Sequence, residues 1–72
     1  MFLGGKIMEK EYGVVRSDEN LTEDAAKMYL HEAKALFQRS SPGYRLVRLG
    51  NYPAYQDKGR YMFPVVEILG VK

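Results

Sequence analysis

The sequence predicts a small α+β domain, a β-α-β-β unit with one amphipathic helix packed on a three-stranded, mainly antiparallel sheet. Three observations carry that reading. Residues 21–39 repeat apolar side chains at helical spacing. Residues 44–49 and 60–69 are rich in Val, Leu, Ile, Phe and Tyr, as strands are. A chain of 72 residues has room for one domain, here taken as 1–72.

The helix is expected over about 22–39. With Thr22 at the N-cap and about 100° per residue, Ala25, Ala26, Tyr29, Leu30, Ala33, Leu36 and Phe37 fall on one face. Glu23, Asp24, Lys27, His31, Lys34 and Gln38 fall on the other. Thr22 suits a cap, and Glu23 and Asp24 complement the dipole at the start. Arg39 and then Ser40-Ser41-Pro42-Gly43 mark the end. On this phase Leu36→Ala costs about 2–5 kcal/mol as a core truncation, and His31→Ala is nearly silent.

The first strand is expected over 6–16, with Gly13 marking a bulge and helix as the competing reading of Ile7–Tyr12. The first five residues read as a flexible end, and Met8 would serve as an alternative start. Residues 50–59 are too long for a tight hairpin, although Asp57-Lys58-Gly59 marks a turn within them. In the last strand both faces are mostly apolar, and Pro64, which lacks an N–H, calls for an edge or a bulge. One helix covers one sheet face. The second face therefore needs cover, and a homodimer packed sheet to sheet or edge to edge would supply it.

Composition narrows the chemistry. No cysteine is present, so disulfides and thiolate metal sites are excluded, and a single histidine argues against a histidine-based metal site. The cysteine-free chain fits a reducing, cytoplasmic setting. No apolar run approaches the roughly 20 residues of a membrane span. Net charge is +2, distributed as −3 over residues 1–24, +2 over 25–39 and +3 over 40–72. The C-terminal half is the basic half.

No cofactor, metal site or catalytic residue is expected. His31 falls on the polar helix face without an orienting carboxylate. Glu9 and Glu11 share a strand face, the arrangement of a solvated edge as much as of a paired-carboxylate site. Gly4-Gly5-Lys6 lacks the flanking strand and helix of a phosphate loop. Ser40-Ser41 follow a helix, whereas a hydrolase elbow precedes one.

The stretch 44–61 is the candidate binding surface, through Tyr44, Arg45, Arg48, Tyr52, Tyr55, Lys58 and Arg60. Tyrosine brings contact area with a polar handle and arginine pairs with anions, so both suit protein hot spots. The same mixture suits stacked nucleic-acid bases and phosphates. The plainer reading makes Tyr44 and Tyr61 strand residues that close the core. Met28 and Ala35, with Arg39 and Glu32, form a smaller contact patch on the polar side of the helix. The sequence thus points to a non-enzymatic, self-associating interaction module that binds a protein partner, as an inhibitor, adaptor or regulatory subunit. The alternative is a nucleic-acid-binding domain, which a small basic excess of +2 disfavours.

Overall fold

The computed structural model describes residues 9–72, with Asp57 described by its backbone alone. The expected flexible end at 1–5 and the first residues of the expected strand at 6–16 lie outside the described residues.

The elements are β1 (Tyr12–Arg16), β2 (Leu21–Glu23), a 3-10 turn (Asp24–Ala26), α1 (Leu30–Gln38), β3 (Tyr44–Leu49), β4 (Tyr55–Asp57) and β5 (Arg60–Val71). The fold is α+β, with one α-helix and a curled antiparallel sheet. The strands lie in the order β1-β3-β5-β2, and β4 also pairs with β5. The sheet therefore exceeds the three strands expected. β5 is its spine: Arg60–Met62 pair with β4, Met62–Pro64 with β2 and Val65–Val71 with β3. At about 3.3 Å per residue, its 12 residues run nearly the whole 42 Å length of the molecule.

β3 spans 44–49, as its composition predicts. β1 is shorter than expected, because residues 9–11 are not strand. Gly13 makes a regular pair with Val47 and no bulge. A Cβ there would meet the Ala26 carbonyl at 3.5 Å and Leu49 Cδ1 at 3.6 Å, so glycine marks a close crossing of chain. Pro64 behaves as its chemistry requires. Its carbonyl accepts from the Gly50 N–H at 2.9 Å, so its missing N–H faces the point where β3 gives way to the 50–54 loop.

The helix is the largest departure from the sequence reading. α1 starts at Leu30, and Tyr29, not Thr22, precedes it. The Glu32 carboxylate accepts from the Tyr29 backbone N–H at 3.1 Å, half of a capping box. Thr22 is buried in β2 opposite Phe63. Ala25 and Ala26 are exposed. Met28 and Tyr12 exchange backbone hydrogen bonds of 2.6 and 2.9 Å, which hold residue 28 extended. Ladder bonds to β5 and β1 outweigh the helical propensity of residues 22–29.

α1 covers one sheet face. Ala33 is fully buried against it, and Leu46 lies beneath. At Gly70 a Cβ would come within 3.2 Å of Phe37 Cε2 and 3.8 Å of Leu46 Cβ, so the ring of Phe37 rests directly on the strand backbone. The Lys72 ammonium donates to the Phe37 carbonyl at 2.9 Å and also to that of Gln38, a cation at the negative end of the helix. Leu36, expected in the core, is 38% exposed. The shortened helix and its β1–β3 platform leave it at the margin. His31 is exposed and stacks on Tyr29 with ring centroids 6.0 Å apart.

The opposite face holds the main core: Val15, Val47, Leu49 and Phe63, with Val65 packed against them. The chain itself supplies the cover. β2 pairs with β5, the 3-10 turn crosses above Gly13, and Met28 bridges back to β1. The Lys27 ammonium lies 3.9 Å from the centre of the Phe63 ring. The sheet is thereby curled over this core, while Ile68 and Val71, further along the same face of β5, stay exposed.

Leu49, fully buried, is expected to lose about 2–5 kcal/mol on truncation to alanine. Leu36→Ala, at a half-exposed site, is expected to lose less than half as much. Urea midpoints of the two variants measured side by side check this ordering, and equal losses would place Leu36 back in the core.

Candidate partner-binding surface

The seven sequence-selected residues separate into two groups. Arg45, Arg48 and Arg60 are engaged within the fold. Arg45 stands on the core side of β3, opposite Val15. Its guanidinium Nη2 donates to the Arg16 carbonyl at 3.2 Å and to that of Glu19. It thus ties the β1–β2 crossing to the sheet, while its Nε is buried without a hydrogen-bond partner among the described residues. Arg48 lies on the helix side, with its Nε 2.9 Å from the Glu67 carboxylate and its Nη1 3.8 Å from that of Glu11. The hydrogen bond that Arg48 donates to Glu67 raises the Arg48 pKa above its already high ordinary value. Arg60 pairs with Glu23 at 2.7 Å and so joins β5 to β2.

Tyr44 is half-buried. It lines an open notch of about 340 Å³ with Val14, Leu36, Arg39, Ser40 and Ser41 at the end of the helix. Tyr52, Tyr55 and Lys58 are the outward-facing remainder. They belong to one protrusion, the β4–β5 hairpin and the loop that feeds it. The hairpin closes with Asp57 opposite Arg60. Lys58 and Gly59 have φ of 51° and 82°, the two left-handed residues of a tight hairpin turn. The turn seen in Asp57-Lys58-Gly59 is therefore real, and it closes a two-residue hairpin where a longer loop was expected. Between β3 and β4 the ladder opens over residues 51–53, between the Gly50 N–H on the Pro64 carbonyl and the Ala54 N–H on that of Met62.

Tyr52, in that opened loop, is 84% exposed, and Tyr55 is 50% exposed. Tyr61, which sequence reasoning left to core closure, is 49% exposed. It lines a shallow pocket of about 240 Å³ with Glu23, Asp24, Ala25, Gly59 and Arg60. Alternation along β5 could not have flagged it, since Tyr61 shares the face of Phe63; it is exposed because it lies past the core, opposite Gln56 in the hairpin. A second exposed set was legible only as an apolar second face. Val66, Ile68, Leu69 and Val71 on β5 are between 41% and 71% exposed.

Elsewhere the chemistry is sparse. Glu9 and Glu11 do not share a strand, and Glu11 instead approaches Arg48. Among the described residues, no group of three or more His, Asp or Glu side chains converges as a metal site would need. No helix among them is long and apolar enough to cross a membrane. No protein-family model, curated protein or solved structure matches this chain.

The two kinds of arginine separate by experiment. Arg45→Met, which frees the Arg16 and Glu19 carbonyls, is expected to cost about 1–3 kcal/mol. Arg60→Ala, which breaks an exposed pair, is expected to cost no more than about 1 kcal/mol. Thermal or urea unfolding reads both. A smaller loss from Arg45→Met than from Arg60→Ala would show that the crossing holds without its clamp.

Proposed function

We propose that this chain is a small non-enzymatic protein-interaction module of inhibitor, adaptor or regulatory-subunit type, with the β4–β5 hairpin and the 50–54 loop as its contact surface. The observation that carries the reading is the exposure of three tyrosines, Tyr52, Tyr55 and Tyr61, on one protruding element. None of them is used to fill the core. Rigid aromatic rings with a terminal hydroxyl give large contact area at low entropic cost, as interface hot spots do. The hairpin ladder holds Tyr55 and Tyr61, one on each of its faces, and Tyr52 stands in the loop that feeds it. The cysteine-free sequence suits a cytoplasmic setting for such a module.

The alternative is nucleic-acid binding. Exposed tyrosines beside Lys58 favour it, because bases stack on aromatic faces. It is the weaker reading because Arg45, Arg48 and Arg60 already serve carbonyls or carboxylates within the fold. Phosphate recognition would have to break those contacts.

Immobilised wild-type protein and a Tyr52→Ala/Tyr55→Ala variant, both folded by circular dichroism, are to be offered the same cell extract. The expected outcome is a protein held by the wild type, lost to the variant and bound again in purified form. Equal retention by both would remove the hairpin as the contact surface. Fluorescence anisotropy with single-stranded oligonucleotides checks the alternative. Binding that falls steeply with salt and disappears with Lys58→Ala would replace the protein reading.

A further inference from the structure

The outer edge of β5 is a feature that neither the core nor the tyrosine hairpin uses. β2 covers this edge only as far as Pro64, and the Val65 N–H is taken by the Asn20 carbonyl at 3.0 Å. From Val66 to Val71 no strand lies beside it among the described residues. The residues there are Val66, Glu67, Ile68, Leu69, Gly70 and Val71, and the apolar side chains of this run, Val66, Ile68, Leu69 and Val71, are all exposed. Natural edges are usually blunted by lysine, proline, inward-pointing charge or bulges, and this run carries register shifts against β3 on either side of Val47–Arg48, which put Ile68 and Val71 on one face. Here the single charge, Glu67, is already neutralised by Arg48.

We propose that this edge pairs with the same edge of a second copy, as an antiparallel strand-to-strand dimer. Three observations choose a second copy over another occupant. The edge complements itself: a twofold axis between Leu69 and Gly70 sets Ile68 opposite the second copy's Val71. Both lie on the core side of the sheet, through their pairings with Val47 and Arg45. The same axis sets Glu67, held by Arg48, opposite the second copy's Lys72, held by the Phe37 and Gln38 carbonyls, so that no like charges face each other on the helix side. Each contact occurs twice, as a twofold interface requires. Among the described residues the buried apolar side chains are Val15, Ala33, Leu46, Val47, Leu49 and Phe63, and pairing two edges would cover Ile68 and Val71 as well. The Val66–Val71 edge is short. It falls at the small end of specific interfaces, below about 1,200 Å² of buried surface, so the dimer is weak and forms and dissociates with concentration.

Sedimentation equilibrium from low-micromolar to millimolar protein tests this. The expected result is a mass that climbs from one chain to two and stops there. Ile68→Lys, at a site 51% exposed, is expected to stay monomeric throughout while remaining folded. If that variant does not fold, amide hydrogen exchange of the wild type decides instead. Residues 66–71 then become protected with rising concentration, and the tyrosine hairpin does not. A monomer at every concentration overturns the proposal. So do a mass that climbs past two chains, a folded Ile68→Lys that still dimerises, and protection that does not change with concentration.

Discussion

The rest of the structure depends on a short piece of chain that crosses the open side of the sheet. Residues 21–28 leave the β1 end, pair with β5 through Leu21–Glu23, pass over Gly13 and bridge to Tyr12 through Met28. The crossing completes a curl around Val15, Val47, Leu49 and Phe63. Without it, those side chains would face water. Arg45 fastens the approach to the crossing by taking two of its carbonyls. A charged group is well suited to this role. It reaches the Glu19 carbonyl and adds a second donor to the Arg16 carbonyl, which also accepts from the Glu19 N–H.

The same segment explains how the sequence misleads. Residues 22–29 carry an apolar periodicity that continues into the true helix, and Thr22 with Glu23 and Asp24 imitates a helix start. Periodicity reports which side chains seek cover and not what provides it. Thr22, expected as the helix cap, is instead a buried strand partner of Phe63. Reading eight residues of cover as helix also left most of the second sheet face bare, where β2, the 3-10 turn and Met28 in fact lie over Val15, Val47, Leu49 and Phe63. Where local chemistry decides alone, the sequence is legible: β3 runs from 44 to 49, the helix stops before Ser40, and Pro64 sits where the ladder opens.

The candidate surface was legible in part for a related reason. A stretch rich in Tyr, Arg and Lys marks a place where large polar side chains gather, and Tyr52, Tyr55 and Lys58 do face solvent. The arginines could not be assigned from the stretch alone. The carboxylates that hold Arg60 and Arg48, Glu23 and Glu67, lie 37 and 19 residues away in the chain. The carbonyls that hold Arg45 belong to a crossing whose path the sequence misstates. A cation's availability is a property of the tertiary fold, whereas an aromatic ring on a protruding hairpin stays available whatever its neighbours do.

The contact between Phe37 and Gly70 has a consequence for descent. The ring lies so near the strand that even a methyl group at 70 forces it to give by a few tenths of an ångström, and a branched side chain leaves it no place. The two positions sit on different elements and are far apart in the chain, yet neither can drift alone. A lineage that enlarges residue 70 has first to shrink residue 37. One that loses the phenyl ring opens a gap over glycine that only a new side chain at 70 can fill. Related sequences, as they diverge, should carry these two residues as a linked pair.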